Sequence, residues 1–515
     1  MDRFALTLCF VACVALYAIM KIVGRLGKIR ASLDRTSEFE GPPCLPIIGN
    51  AHIFIGDSEH IMNKVLEADK IYSSPFRVSI GNLLFFVTTD PEQLKLALFG
   101  SKTVEKGSLF DFARPWIGSG LVTAPYSTWQ VHRKLIQPTF GPTILKSFLE
   151  IFVAESVMVA DQMECELNGP EFEVSNYFSR CTMGSLCKTV MGVKLDAYAG
   201  ENNPYVKAFR KVTAGIVRRG FSPWIHPDFI FYRTKLGKDQ QKYIKFMHDF
   251  TEKLISTKKK QLLERGNRES NEDAEDDRYN TATRREAFLD HIIKLSEHTK
   301  ILTDEEIRDQ VHTFMATGSL STSDTIGFVM LMLASHPCVQ EKVYEELCEI
   351  YGDGNGDAQL NVTQEAIARM TYLERVIKET LRLFPAVPLI VREVSEDLDI
   401  GGRSLPKGST MVLNILGVQR SEKYWLDPLK FDPDRFLPEN FAKQPQCSYI
   451  PFGGGPRNCI AQKYAMLLAK TLVATLLRRY VLTHDKIVQI KDIRIKFEVV
   501  LLPVEPITIG IKRRT

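Results

Sequence analysis

The stretch Phe452-Gly453-Gly454-Gly455-Pro456-Arg457-Asn458-Cys459-Ile460-Ala461 decides how this chain reads. A cysteine stands two residues after an arginine, behind a glycine-rich bend and ahead of an apolar run from Tyr464 to Leu477 that reads as a helix. Glycines tolerate positive φ and add no Cβ, so the backbone here can fold closely under a flat ligand. Backbone N–H groups in such a bend, and the N-terminus of the helix that follows, favour thiolate over thiol. Arg457 adds a cation suited to a carboxylate. A lone thiolate on iron pushes electron density toward the metal and favours O–O cleavage. Taken alone, Cys459 would instead read as one small buried residue among ten cysteines.

The segment resembles the cysteine loop of the cytochrome P-450 superfamily, whose pattern runs Phe, two residues, Gly, one residue, Arg, one residue, Cys, one residue, Gly. Phe452, Gly455, Arg457 and Cys459 match it, and Ala461 stands where the last glycine usually is. Four matches at fixed spacing set the bland reading of Cys459 aside. Short alternating strands are expected at Phe76 to Ile80, Leu83 to Thr88, Phe497 to Leu501 and Ile507 to Ile511, with long amphipathic helical patterns between them. The fold class is therefore mainly α with small peripheral β-sheets (α+β), in one large domain. The resemblance implies the cytochrome P-450 fold with an N-terminal transmembrane helix.

Composition bounds the rest. The 515 residues exceed the usual single-domain size, and 44% hydrophobic content supplies a sizeable core. A net charge of +4 with no long basic tract argues against nucleic acid. Ten cysteines without a CxxC pattern or a disulfide framework suit a reducing compartment. From Phe4 to Met20 runs an apolar stretch of 17 residues, extended by Ile22 and Val23, with Lys21, Arg25, Lys28 and Arg30 around its C-terminal end. Such a run can span a bilayer, and the basic flank places that side in the cytosol. A cleaved secretory peptide, with Ala12 or Ala15 near its cleavage site, is the alternative. The length of the run, its basic flank and the cysteine usage favour an uncleaved anchor. Gly41-Pro42-Pro43-Cys44-Leu45-Pro46 is stiff, because each proline fixes φ and restricts its predecessor. The expected organisation is a signal anchor at residues 1–24, a basic and proline-rich hinge at 25–46, and a haem-thiolate catalytic domain at 47–515. Residues 264–286 are dense in charge and read as an exposed loop between helices.

Further motifs extend the resemblance. Glu379 and Arg382 lie at i, i+3 on one helix face, where an exposed ion pair would contribute little. They resemble the family's Glu-x-x-Arg helix, and the segment Phe431 to Phe436 resembles the one that supplies a second arginine, here Arg435. The resemblance implies a buried structural network of Glu379, Arg382 and Arg435 behind the cysteine loop. Trp129 and Arg133 match a Trp-x-x-x-Arg element, and Arg392 and Arg457 match other usual partners of the haem propionates. A guanidinium suits a carboxylate because its planar fork bonds both oxygens. The resemblance thus implies haem b bound through Cys459, its iron ligand, with Trp129, Arg133, Arg392, Phe452 and Arg457 around it, non-covalently apart from the thiolate–iron bond.

The helix expected above the haem runs from Asp309 to Ile326 and on to Ala334-Ser335-His336-Pro337. Its wording resembles the fourth clan of the superfamily, especially insect-like microsomal members. There the glycine is followed by one residue, an acid and two threonines, whereas this chain has Gly318, Ser319, Leu320, Ser321 and Thr322. Ser321 and Thr322 are the catalytic candidates, since they keep hydroxyls while Leu320 cannot relay a proton. Asp324 and Thr325 offer an acid–alcohol pair about one turn, roughly 6 Å, further along. Thr317 replaces the glutamate that in many fourth-family members forms an ester with haem, so no such attachment is expected. Candidate pocket lining comes from Leu109 to Trp116, Phe314 to Gly318, Val387 to Ile390 and Val499 to Leu502, all largely apolar.

The function implied is a membrane-bound monooxygenase that hydroxylates or epoxidises a lipophilic substrate such as a fatty acid, hydrocarbon, pheromone precursor, hormone or xenobiotic. Its electrons would come from NADPH through cytochrome P-450 reductase, with cytochrome b5 as a second candidate donor. It would sit in the endoplasmic reticulum membrane, with the catalytic domain on the cytosolic side. The alternative is a haem-thiolate isomerase or dehydratase acting on a lipid peroxide without O2 or reductase. Relatives of that kind often lack the acid–alcohol pair. A weaker third reading is a haem protein that binds a ligand with little turnover.

Overall fold

Four strands near the N-terminal side form the largest sheet. Phe76–Ile80 (β1) and Leu83–Thr88 (β2) pair antiparallel across a tight turn at Gly81, whose φ of +61° suits glycine. Leu389–Glu393 (β3) and Thr410–Asn414 (β4) complete it in the order β1-β2-β4-β3, with β4 parallel to β2 and antiparallel to β3. The computed structural model describes residues 36–193, 204–269, 287–352, 362–486 and 488–514, together with Cys13, Leu16 and Asp34. The expected anchor, apart from Cys13 and Leu16, and most of the basic part of the hinge fall outside the described residues. Among the described residues no helix is long and apolar enough to cross a membrane.

The core is helical. Its helices are Tyr126–Ile136 (α1), Pro142–Met163 (α2), Ser175–Thr189 (α3), Pro204–Gly220 (α4), Lys235–Glu269 (α5), Asp304–Thr317 (α6), Leu320–Ser335 (α7), Thr371–Leu383 (α8) and Gln462–Arg479 (α9). α9 packs on α2 and α8, and α7 on α3 and α8. Residues of these helices share one apolar cluster that includes Phe152, Leu186, Val329, Ile377 and Leu472, each buried. α7 is buried almost along its whole length, and from Ile326 to Ala334 it is apolar on every face, as expected of a helix inside a core. α6 begins with a capping box: the Thr303 hydroxyl accepts the Glu306 N–H at 3.2 Å, and the Glu306 carboxylate accepts the Thr303 N–H at 2.8 Å. The mainly α class with small sheets is thus the observed architecture.

Three local expectations need correction. The long helix from Asp309 onward is two helices, α6 and α7, parted at Gly318–Ser319. Glycine is a poor helix former, and the hydroxyls of Thr317, Ser321 and Thr325 bond backbone carbonyls one turn back, a pattern that bends helices. The strand expected at Phe497 to Leu501 is instead a hairpin of Ile495–Glu498 (β6) and Val500–Pro503 (β7), turning at Val499 with φ +68°. α5 continues to Glu269, so the first residues of the expected loop at 264–286 are helical. The strand expected near Ile507 is Thr508–Arg513 (β8), which pairs with Tyr480–Thr483 (β5) and Phe172–Glu173.

Candidate functional site

The cysteine loop is folded back on itself. The Cys459 N–H donates to Phe452 O at 2.9 Å, Asn458 N–H to Gly455 O at 3.2 Å, and Gly453 N–H to Ile450 O at 2.9 Å. Gly453 and Gly455 hold φ of +71° and +66°. A Cβ on Gly455 would stand 2.0 Å from Leu98 O, so the glycine is needed both for its φ and for the close approach. The Cys459 thiol opens into a cavity of about 550 Å³ at the N-terminal end of α9. Burial pushes its pKa up, while the Ala461 backbone hydrogen bond and the Arg133 charge pull the other way.

Around that cavity stand the cations. Arg392 on β3 is 2% exposed and donates to its own neighbour's carbonyl, Val391 O, at 2.9 Å. Burial, with Arg457 beside it, lowers its pKa to about 10. Arg457 donates to Ala124 O at 3.2 and 3.1 Å and lies 4.6 Å over the Trp129 ring, while its buried Nε has no partner. Burial lowers its pKa to about 10 as well. Lys106, which sequence reasoning passed over, lines the same cavity, and burial beside Arg392 and Arg457 depresses its ammonium far below the usual lysine value. Arg133, on α1 with Trp129, also lines it. Its guanidinium grips the cysteine loop, donating to Asn458 O and Asn458 Oδ1, both at 2.9 Å. Among the described lining residues there is no Asp or Glu. Three cations around an unpartnered guanidinium nitrogen, with a thiol below and apolar walls, fit a flat apolar ligand carrying carboxylates, as haem does.

Behind the loop lies the carboxylate–arginine network. Arg382 donates to both Glu379 oxygens, from Nε at 2.7 Å and Nη2 at 2.9 Å, with both side chains fully buried. Arg435 Nε lies 3.4 Å from Glu379 Oε1, and the Asp432 N–H donates to the same oxygen at 3.0 Å. Burial raises the Glu379 pKa against the pull of Arg382. The link to the cysteine loop is Gln419, a residue with no sequence signal. Its amide donates to Leu381 O and Arg382 O at 3.0 Å, and its oxygen accepts the Ile450 N–H at 3.0 Å.

The opposite wall is the α6–α7 break. Thr317 Oγ1 donates to Thr313 O at 2.8 Å, Ser321 Oγ to Thr317 O at 2.9 Å, and Thr325 Oγ1 to Ser321 O at 2.8 Å, and all four residues line the cavity. Ser321 and Thr322 both face it, as expected. Leu320 does not line it: the side chain is 1% exposed and belongs to the apolar core. Asp324 is ion-paired with Arg210 of α4, so it is no free acid beside Thr325. Of the expected lining, Leu109, Phe110, Trp116, Phe314, Val387, Ile390 and Val500 take part, while Leu501 and Leu502 turn into the core.

The sequence model of the cytochrome P450 family matches residues 39–511. Among curated proteins, cytochrome P450 4c3 of Drosophila melanogaster is 34% identical over 480 residues, covering 92% of this chain and 89% of that protein. Cytochrome P450 4V2 of Homo sapiens is 32% identical over 475 residues, covering 91% and 88%. Cytochrome P450 4c21 of Blattella germanica is 32% identical over 502 residues, covering 97% and 98%.

Proposed function

The chain belongs to the cytochrome P450 family and is a haem-thiolate monooxygenase driven by NADPH electrons through a reductase; from that premise we propose that it works at a membrane on a lipophilic substrate held in the cavity above Cys459. The observation that carries this is the composition of the cavity wall: a thiol and basic side chains at one side, apolar side chains over most of the rest, and no described carboxylate. The bound haem supplies the activation of dioxygen. Cys459 gives the sulfur ligand, and Arg133 keeps that loop in place through Asn458. Arg392, Arg457 and Lys106 receive the propionates, while Trp129 and Phe452 shape the walls. Glu379, Arg382 and Arg435 brace the loop from behind through Gln419. Aromatic and aliphatic side chains such as Phe110, Trp116 and Phe209 exclude water and orient the substrate. The Ser321 hydroxyl gives its own hydrogen to Thr317 O, which leaves its oxygen lone pairs open to accept a hydrogen bond from within the cavity, with Thr322 beside it.

Membrane attachment is supported by the apolar N-terminal run and by exposed apolar side chains in the described part of the fold. Ile47 and Pro223 both approach Gly81, the Phe54 and Phe221 rings are tilted with centroids 4.9 Å apart, and the neighbouring Leu45, Ile55, Trp224 and Phe229 are exposed. Residues 1–24 as anchor, 25–46 as hinge and 47–515 as catalytic domain, on the cytosolic side of the endoplasmic reticulum, complete this reading. Substrates of the class include fatty acids, hydrocarbons, pheromone precursors, hormones and xenobiotics, with cytochrome b5 as an auxiliary electron donor.

The test is turnover of a lipid that shifts the iron spin state, using reductase, NADPH and labelled dioxygen. One labelled oxygen atom in the product is expected. Conversion of a lipid hydroperoxide without reductase, with no label taken up, would overturn monooxygenation in favour of an isomerase or dehydratase, the reading that Leu320 and the engaged Asp324 would then explain.

A further inference from the structure

Asp324 is the one acid in α7, a helix buried along most of its length. Its side chain is 9% exposed and meets Arg210 of α4 in a fork, with Nη1 to Oδ2 at 3.0 Å and Nη2 to Oδ1 at 2.5 Å. The Asp324 carboxylate is nearly buried while the Arg210 side chain is 26% exposed, and the bidentate geometry makes the pair directional. The residues flanking each partner line the cavity: Phe209 and Thr213 on α4, Ser321 and Thr325 on α7. The pair therefore lies just behind the wall, where the roof helix meets the hydroxyl-bearing helix. α4 packs chiefly on α5 and on β6, not on α7. The seam between α4 and α7 depends on this fork to a degree that the other sides of the roof do not. On its β6 side the seam is also charged, with Glu498 beside Lys496 and within the field of Arg210, Lys211 and Asp324.

We propose that Arg210 and Asp324 form a clasp that holds α4 down on α7 and so sets the girth of the molecule that can reach Cys459. Both are positioning residues. They touch neither ligand nor cofactor and act through the cavity wall. The clasp deepens the proposed function by naming what limits its substrate, and it rests on that reading for a haem to report binding. Opening the seam would require pulling Arg210 off the nearly buried Asp324 carboxylate, so molecules wider than the standing cavity are excluded. Slim, chain-like molecules pass without disturbing it.

The full-length haem-loaded chain is compared with the double variant Arg210→Met/Asp324→Asn, which removes the clasp without leaving a buried charge unpaired. Association rates of imidazole and of a biphenyl-substituted imidazole are read from the absorption shift on mixing. The double variant is expected to bind the bulky probe about tenfold faster while imidazole changes less than about twofold. The single variants Arg210→Met and Asp324→Asn are expected to move the same way where they fold. Equal acceleration of both probes, or rates equal to those of the unaltered chain, overturns the clasp. The thiolate band of the reduced carbon-monoxide complex is recorded on the same samples. Its absence from the unaltered chain would overturn the haem reading, whereas its presence with unchanged probe rates overturns the clasp alone.

Discussion

Lys106 and Arg392 stand in the wall of one cavity with no carboxylate among the described lining residues, and their own burial favours losing charge. Lys106 is half-buried with its ammonium 5.1 Å from the Phe110 ring centroid, and two propionates are the anionic partners such a cluster of cations suits. Lys106→Met should therefore leave the fold intact and speed haem loss by about 10- to 100-fold, the worth of one buried charge-assisted hydrogen bond. Transfer of haem to an acceptor protein measures it, and an unchanged rate would remove Lys106 from the site. Leu320 teaches the opposite lesson. Its place in the pattern suggests a missing proton donor facing the haem, yet its side chain packs into the apolar core. An aspartate introduced there would meet a desolvated environment before it met a ligand.

At the scale of elements, the cysteine loop is stiff because of what stands behind it. Glu379 on α8 is fully buried and binds Arg382 through both oxygens, while Arg382 also donates to Gln419 O at 2.7 Å and Pro428 O at 2.8 Å. Glu379→Ala strands a buried guanidinium and should cost about 3–5 kcal/mol of stability, read as a lowered midpoint in denaturant unfolding. A shift near zero would mean that the network is not a brace. The same scale shows where local pattern misleads. α6 and α7 read as one helix because their apolar periodicity runs through Gly318, and only the hydroxyl bonds to carbonyls one turn back reveal the bend. The β6–β7 hairpin turns on Val499, a β-branched residue at positive φ, where residue type gives no turn signal.

For the whole molecule, much was legible because it was encoded locally or in spaced motifs. β1 and β2 fall at the expected residues, α9 contains the apolar run after Cys459, and the residues proposed to hold a haem line one cavity or stand behind its loop. What escaped depends on long-range contact. Lys106 gains meaning only beside Arg392 and Arg457, Gln419 only between Arg382 and Ile450, and Arg210 only across from Asp324. These partners are far apart in sequence, and Lys106, Gln419 and Arg210 lie in no motif. On the proposed reading all of them serve a single arrangement in which Cys459 would be the sulfur ligand of a haem. The most direct test is the absorption spectrum of the reduced carbon-monoxide complex of Cys459→Ala beside that of the unaltered chain. The unaltered chain should show the thiolate-shifted band and the variant should lose it. A variant that retains the band would contradict the assignment of Cys459.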